Sequence, residues 1–180
     1  LYKDNTVGSR SKIVLRQAQC NPEHRRRIDL AYIAGFLDGD GSLMLQIKKR
    51  KDGVVKHRFM CTICFYQDSR HEEPLKFIRK VLGIGYLSRR NDDMSELRIN
   101  GFAQIYRILR DLIPFIRFKK KQAVALMKAS RILSKEKIRR LSRNNLGKLV
   151  QCILEIQSEN YSTRSKKTEE ELNAILGLTP

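Results

Sequence analysis

The sequence predicts an α+β domain with a four-stranded antiparallel sheet, helices on one face of that sheet, and further helices at the C-terminus. The spacing of apolar residues switches between periods of about 3.6 and 2, which gives the order helix, strand, strand, helix, strand, strand, helix. Each predicted strand also has one polar side, so only one face of the sheet can pack against helices. The length of 180 residues suits one compact domain.

Three segments differ in composition along the chain. Residues 1–27 are polar and basic, and we predict that they form an N-terminal arm. Contact with phosphate and a frayed terminus are both open interpretations of this arm. Residues 28–130 contain the α+β core, and residues 131–180 are predicted to form a helical extension.

The first helix of the core is predicted over residues 30–38. Its apolar residues recur at helical spacing and are Leu30, Ile33, Ala34 and Leu37. Asp29 precedes them and is suited to the N-cap position, because its carboxylate can accept a hydrogen bond from the first helical turn. Gly39 and Gly41 are expected to end the helix.

A β-hairpin is predicted directly after this helix. Residues 42–50 alternate between polar and apolar, and a turn at Asp52-Gly53 leads into a second alternating strand. The polar side carries Ser42, Gln46, Lys48, Arg50, Lys56, Arg58 and Thr62. Cys61 and Cys64 lie three residues apart in the second strand, so they face opposite sides and are not expected to bind zinc together.

The second half of the core repeats this pattern. A helix over residues 72–82 ends at Gly83, and two shorter strands follow over residues 85–90 and 95–100. The polar side of these strands carries Tyr86, Ser88, Arg90, Glu96, Arg98 and Asn100. Asn100 is also the predicted N-cap of a helix that runs to Leu112 and stops before Pro114.

The remainder of the chain is predicted to be helical in three segments. These cover residues 120–133, 135–159 and 168–176. Thr168 and Glu171 have the spacing of a capping box, in which each side chain bonds to the other residue's backbone N–H.

The charge balance predicts a polyanionic partner. The chain has 37 Lys and Arg residues against 19 Asp and Glu residues, a formal net charge of +18. On the polar sheet face the basic side chains oppose a single acid and alternate with side chains that can hydrogen-bond to base edges or phosphates. We therefore predict that this face binds nucleic acid through Gln46, Lys48, Arg50, Lys56, Arg58, Thr62, Tyr86, Ser88, Arg90, Glu96, Arg98 and Asn100. A solvated sheet face is the alternative.

Several other classes of partner lack support in the sequence. The longest apolar stretches are far shorter than the roughly 18 residues of a membrane span, so no membrane partner is expected. No phosphate-binding GxxxxGK[ST] loop is present, and Gly83-Ile84-Gly85 alone is a weak dinucleotide signal. We expect no small-molecule cofactor apart from a metal ion.

The segment Asp38-Gly39-Asp40-Gly41 places two carboxylates at the end of the first helix. Helix C-termini already carry partial negative charge and favour cations, so acids there are electrostatically unfavourable. A bound divalent cation would compensate for them, because Mg2+ takes carboxylate, carbonyl and water oxygens. We predict that Asp40 and the carbonyl of Gly39 bind this ion.

Small residues form a stripe on the same helix. Ala31, Gly35 and Gly39 recur every four residues, which allows close approach of another backbone. The partner is either the chain's own sheet or a second copy of the helix. With a second copy, the acidic ends would meet at a two-fold axis and could hydrolyse both strands of a duplex. Strands of this length would cover roughly twenty base pairs of DNA in such a dimer.

The segment Leu30-Ala31-Tyr32-Ile33-Ala34-Gly35-Phe36-Leu37-Asp38-Gly39-Asp40-Gly41-Ser42 resembles the signature of the LAGLIDADG homing endonucleases. The resemblance extends through residues 83–86 and 114–123 and covers about residues 28–130. Only one copy of the motif is present, which is typical of the homodimeric branch. The resemblance implies a sequence-specific DNA endonuclease that uses Mg2+ (or Mn2+), cuts both strands, and is located in an organelle, either chloroplast or mitochondrion.

The resemblance also implies roles for individual residues. Asp40 would be the catalytic carboxylate and metal ligand, Gln67 would help to order water, and Lys119 would lie near the scissile phosphate. Where relatives have an arginine this chain has His71, preceded by Arg70, so either residue is a candidate for that role. Asp38 is expected to have a structural role in the turn.

Two alternative functions remain open at this level. An RNA-binding intron maturase would discriminate little between DNA sequences and would bind structured RNA. A DNA-binding regulator without catalysis is the other alternative. The intact Asp40 argues against it, because such a protein does not need an acid at this helix end.

Overall fold

The computed structural model describes residues 21–51, 57–160 and 166–178 and confirms the predicted α+β core. The helices are α1 (Pro22–Asp40), α2 (Glu73–Leu82), α3 (Phe102–Leu112), α4 (Lys120–Lys135), α5 (Arg143–Glu159) and α6 (Glu169–Leu176). The strands are β1 (Gly41–Lys49), β2 (His57–Asp68), β3 (Tyr86–Arg89) and β4 (Met94–Asn100). Short 3-10 turns cover Ser69–His71 and Ile138–Arg140. The predicted turn at Asp52-Gly53 and Lys56 lie outside the described residues.

The four strands form one antiparallel sheet in the order β1-β2-β4-β3. Opposite residues in neighbouring strands share a face, so the register shows which side chains lie together. One row across all four strands is Ser42, Cys64, Arg98 and Tyr86. The polar sides of the two hairpins therefore form one continuous face, as the alternation predicts.

The helices pack against the other face of the sheet. The largest fully buried side chains are Phe65, Ile33, Leu37, Ile63, Leu75, Ile78, Leu97, Ile99, Ile105, Leu109, Leu112 and Ile116. Cys61 lies opposite Leu45 on this apolar face, whereas Cys64 lies opposite Arg98 on the polar face. The two thiols therefore do not converge, which agrees with the prediction. Among the described helices, none is both long enough and apolar enough for a membrane crossing.

Helix α1 begins eight residues earlier than predicted. Asn21 is its N-cap, and the Asn21 side chain accepts a hydrogen bond from the backbone N–H of Glu23 at 3.1 Å. Pro22 occupies the first helical position, where its missing N–H costs nothing. The prediction that Asp29 is the N-cap is wrong, because this stronger start signal lies upstream. Arg25-Arg26-Arg27 thus lie on the helix, whereas residues 1–20 lie outside the described part of the chain.

Two other helix starts also differ from the predictions. Asn100 is the last residue of β4 rather than the N-cap of α3; Gly101 takes that position with a φ of 104°, which glycine adopts without strain. Helix α5 begins at Arg143 instead of residue 135, because Ser142 caps it by accepting from the N–H of Asn145 at 3.1 Å. The capping box of Thr168 and Glu171 is confirmed at the start of α6.

Candidate functional site

Asp38 joins the end of α1 to the loop that precedes α4. Its carboxylate accepts hydrogen bonds from the backbone N–H groups of Arg117 (2.7 Å), Phe118 (3.1 Å) and Lys119 (2.9 Å). Carboxylates that accept several backbone hydrogen bonds form some of the stronger polar contacts in proteins. These bonds give Asp38 a structural role, because they fix the start of α4 beside the acidic end of α1.

Lys119 compensates for the negative potential at this helix end. Its ammonium donates to the carbonyls of Leu37 (2.9 Å), Asp38 (2.9 Å), Gly39 (3.0 Å) and Gly41 (2.8 Å). These carbonyls belong to the set that a helix leaves unsatisfied at its C-terminus. Burial lowers the pKa of Lys119, and the charges of Asp38 and Asp40 oppose that shift. The chain itself therefore supplies a cation at this helix end, which the sequence pattern does not indicate.

Asp40 is the last residue of α1, and its side chain is exposed. In the described part of the chain, no group donates a hydrogen bond to its carboxylate. Asp40 borders an open cleft of about 360 Å3 at the junction of α1 and the polar sheet face. The cleft is lined by Gly39, Asp40, Gly41, Tyr66, Gln67, Asp68 and Met94. The structure thus brings Asp40 and Gln67 to one cleft, although they are far apart in the sequence.

The end of β2 forms the other wall of this cleft. The side-chain oxygen of Gln67 accepts from the backbone N–H of Asp68 at 2.9 Å, which fixes the orientation of the amide. Asp68 in turn accepts three hydrogen bonds from the Arg70 guanidinium, at 3.0, 3.3 and 2.7 Å. These bonds hold the pKa of Asp68 well below its ordinary value. The Arg70 side chain is 82% exposed, and neither Arg70 nor His71 lines the cleft.

The polar sheet face extends from this cleft. The exposed residues among those predicted to contact nucleic acid are Gln46, Lys48, Arg50, Arg58, Tyr86, Arg90, Arg98 and Asn100. Ser88 is half-buried beside them. Tyr66 lies between cleft and face: its hydroxyl is 3.2 Å from the hydroxyl of Ser42, and the Arg90 guanidinium lies 6.0 Å from its ring centroid.

Two residues predicted to contact nucleic acid are buried instead. Thr62 is 4% exposed and donates a hydrogen bond to the Asn100 side-chain oxygen at 2.8 Å. Glu96 is 5% exposed and accepts a hydrogen bond from the guanidinium of Arg98, with the Cys64 thiol 3.7 Å away. Their burial is inconsistent with direct contact, so the prediction is corrected for both. They lie beneath Asn100 and Arg98 and orient them.

The stripe of small residues on α1 does not pack against the rest of the described residues. Ala31, Gly35 and Gly39 are all exposed, and a Cβ added at either glycine would have no neighbouring atom within 4 Å. Beside the stripe, Tyr32 and Phe77 are 46% and 39% exposed, with ring centroids 5.6 Å apart. The interpretation that the stripe packs on the chain's own sheet is therefore wrong.

Tyr66 and Asp68 are site residues that the sequence reasoning did not identify. Tyr66 precedes Gln67 and Asp68 follows it, at the end of β2. Tyr66 has the same strand parity as Thr62 and Cys64, so it faces the same side of the sheet. Extending the alternation of β2 by one more pair would have placed Tyr66 on the polar face. The same alternation reaches Asp68, but its position in the cleft also depends on where α1 ends.

Comparison with known proteins gives consistent matches. A family model described as LAGLIDADG endonuclease matches residues 33–133. The DNA endonuclease I-CvuI of Chlorella vulgaris is 33% identical over 97 residues, which cover 54% of this chain and only 60% of that relative. The DNA endonuclease I-CreI of Chlamydomonas reinhardtii is 29% identical over 147 residues, which cover 82% of this chain and 88% of that relative.

Solved structures share the fold. The structure of I-CvuI in complex with the I-CreI target has a TM-score of 0.71 at 24% identity and covers 86% of this chain and 96% of its own. The archaeal intron-encoded endonuclease I-Vdi141I, complexed with DNA, has a TM-score of 0.71 at 22% identity, covering 84% and 96%. I-SmaMI bound to cleaved DNA has a TM-score of 0.63 at 19% identity, and the match spans 83% of this chain and 48% of that protein.

Proposed function

The chain belongs to the LAGLIDADG endonuclease family, and from that membership we propose that it is a sequence-specific DNA endonuclease. It hydrolyses one phosphodiester bond in each strand of a long pseudo-palindromic site. The main support is the position of Asp40, an exposed carboxylate without a hydrogen-bond donor among the described residues, in a cleft beside a basic sheet face. Chemistry in a cleft at this junction would act next to DNA bound on the sheet face.

The residues around Asp40 fit a divalent metal ion, Mg2+ or Mn2+. In the described ranges no three His, Cys, Asp or Glu side chains converge, so one protomer contributes little more than the Asp40 carboxylate. Mg2+ tolerates such a sparse set, because it keeps several waters and needs only one or two carboxylates. The Gly39 carbonyl accepts from Lys119 at 3.0 Å and still has a second lone pair for the ion. When bound, the ion would lower the pKa of a water molecule and would stabilise negative charge on the leaving oxygen.

We assign Gln67, in the cleft, and Lys119, behind the end of α1, to positioning roles in the reaction. Gln67 has its oxygen engaged by the Asp68 N–H, so its amide nitrogen is the group that can hold a water or a phosphate oxygen. The ammonium of Lys119 is surrounded by four carbonyls, so we assign it to fixing the end of α1 and providing positive potential near the phosphate. Arg70 and His71 lie outside the cleft, and a role for either would require bound DNA to reach them.

A homodimer completes the proposed enzyme. The stripe of Ala31, Gly35 and Gly39 is open to a second copy of α1, and close packing there would bring the two Asp40 residues together. An isologous dimer presents two equivalent cleavage sites, one for each DNA strand. The two sheet faces together would cover roughly twenty base pairs.

The exposed side chains of the polar sheet face would read the DNA sequence. Two-stranded β-ribbons fit the major groove, where every base pair presents a distinct pattern of donors and acceptors. Arginines such as Arg98 and Arg90 suit guanine, and the amides of Gln46 and Asn100 suit adenine. Lys56 remains a predicted contact that lies outside the described residues.

A cleavage selection tests this proposal. Purified protein is incubated with Mg2+ and a long randomised duplex library, and the cut ends are sequenced. Asp40→Asn serves as the inactive variant, and Asp111→Asn, which changes an acid on α3, serves as the matched control. We expect the wild type and the control to cut one pseudo-palindrome, and Asp40→Asn to bind it without cutting.

Other outcomes of the selection separate the alternatives. Cutting by Asp40→Asn would exclude the assigned carboxylate. Tight sequence-specific binding without any cleavage by the wild type would favour a regulator, and preference for structured RNA over every duplex would favour a maturase.

We also propose an organelle, chloroplast or mitochondrion, as the cellular location. The support is the resemblance of the motif to the homing endonucleases. Fractionation of cells that express the protein from its natural gene tests it, and recovery in the cytosol or nucleus would contradict it.

A further inference from the structure

A second cleft lies at the end of the sheet opposite to Asp40. It has a volume of about 740 Å3 and lies between the end of the β1–β2 hairpin, where β1 ends and β2 begins, and the C-terminal end of α4. Its floor is apolar and includes Phe59, Phe102, Leu133 and Ile138. Its rim is basic and consists of Arg50, His57, Arg58, Lys135, Lys137 and Arg139. We call it the outer cleft.

The charge of the outer cleft is not neutralised within the described residues. None of the rim side chains forms an ion pair there, whereas Lys76, Arg89 and Arg98 all do so elsewhere. Among the described residues, Glu136 is the single acid that lines the cleft. Across the hairpin, Lys48 lies directly opposite Arg58, a pairing of like charges that destabilises a sheet without an anion nearby.

Helix capping explains only part of this charge. Lys135 ends α4, where a cation is favoured by the helix dipole. Lys137 and Arg139 lie beyond the helix end, and Arg58 belongs to a strand. The concentration of cations around one cavity therefore needs a further explanation, and a bound polyanion supplies it.

The outer cleft is continuous with the polar sheet face. Arg58 is on the polar face by its register and also lines the cleft, and Arg50 follows β1 at the same end. Positive charge therefore runs from the sheet face, around the end of the hairpin, to α4. A ribbon that lies in the major groove has a phosphate backbone on each side, so side chains behind the ribbon can reach one of these backbones.

We infer that the outer cleft binds backbone phosphates of the same DNA duplex, outside the base pairs that the strands read. This inference rests on the proposed function. The apolar floor supports the long stems of the lysine and arginine side chains, while their charged ends reach the phosphates. Such contacts fix the duplex in register on the sheet and carry no sequence information themselves.

The test compares two triple variants that remove the same charge. The cleft variant combines Lys135→Gln, Lys137→Gln and Arg139→Gln. The control variant combines Lys128→Gln, Arg131→Gln and Lys148→Gln, which border a different cavity between α4, α5 and α6. All six side chains are exposed, so both variants are expected to fold. Fluorescence anisotropy over a salt series measures binding to a random-sequence duplex of about 60 base pairs, long enough to include flanking phosphates.

We expect the cleft variant to bind the duplex about tenfold or more weakly than the wild type. The slope of log affinity against log salt concentration should fall in magnitude by about 2 to 3, because each lost phosphate contact lowers it by about 0.9. The control should stay near the wild type. Equal slopes for both variants, with a wild type that binds DNA, would overturn the inference and leave the proposed function intact. An unchanged duplex slope with weaker binding to an RNA hairpin would also overturn it and assign the cleft to RNA. A wild type that binds no duplex would overturn both.

Discussion

Asp38 and Lys119 are joined by two hydrogen bonds, one from side chain to backbone in each direction. The Asp38 carboxylate accepts the backbone N–H of Lys119 at 2.9 Å, and the Lys119 ammonium donates to the backbone carbonyl of Asp38 at 2.9 Å. These bonds connect the end of α1 to the start of α4. Asp40 lies two residues beyond Asp38, so the position of the proposed metal ligand depends on this reciprocal contact.

Replacing Asp38 with asparagine should destabilise the fold and disturb the site. Asparagine keeps one acceptor oxygen but loses the charge that strengthens three backbone hydrogen bonds. We expect a loss of about 1–3 kcal/mol in the free energy of unfolding, measured by urea denaturation. Asp92→Asn, in an exposed turn, should change it by less than about 0.5 kcal/mol. Equal stabilities for the two variants would contradict the structural role of Asp38.

Lys119→Gln should reduce cleavage more than DNA binding. Glutamine cannot present a compact cation to four carbonyls, so the end of α1 should loosen and Asp40 should be misplaced. Lys119→Arg should not restore activity, because a planar guanidinium does not match this arrangement of acceptors. Single-turnover cleavage and duplex affinity, measured on the same preparations, separate the two effects. Full activity of Lys119→Arg would indicate that charge alone suffices.

Protonation of Glu72 should account for part of the stability that the protein loses at acidic pH. Hydrogen bonds from Arg89, Ser95 and Lys76 lower the pKa of Glu72 from 4.5 to about 2. The pKa of Glu72 is lower in the folded state than in the unfolded state. The ionised carboxylate therefore stabilises the fold fully at pH values above the unfolded-state pKa, and this stabilisation is lost as the pH falls through the folded-state pKa. Urea midpoints measured between these two pH values should fall for the wild type. Glu72→Gln should be less stable near neutral pH, and its urea midpoint should fall less between these pH values. Parallel plots of urea midpoint against pH for the wild type and the variant would contradict this role of Glu72.

Glu96→Gln should relax the sequence specificity of the proposed endonuclease. Buried Glu96 holds the guanidinium of Arg98 in one orientation, and the same hydrogen bond raises the pKa of Arg98. Without that charge Arg98 can adopt other rotamers, so discrimination should fall by about 1–3 kcal/mol at the base pair that we propose it contacts. Sequencing of cut ends from the randomised library measures this change. Asn100→Ala is the control, since it should relax a different position; loss of specificity at all positions would indicate a general structural defect instead.

The sequence predicted the features of the site that depend on local periodicity. Alternation over residues 42–50 was enough to place Gln46 and Lys48 on the polar face, since a strand repeats every two residues. The contact between Asp38 and Lys119 joins residues 81 positions apart, and no local pattern indicates it. The burial of Glu96 likewise depends on Arg98 folding over it, which strand parity does not determine.

Gly35→Glu should prevent formation of the proposed dimer without unfolding the protomer. A Cβ at Gly35 meets no atom within 4 Å, and glutamate has a higher helix propensity than glycine, so the single chain should remain stable. In a close-packed pair of α1 helices, however, the added side chain would collide with its symmetry mate and place two like charges together. We expect a monomer by sedimentation velocity and no double-strand cleavage. Gly147→Glu is the matched control, because Gly147 is a helical glycine on α5 with equally open space, and it should leave both properties unchanged. A Gly35→Glu protein that still dimerises and cuts would place the dimer interface elsewhere.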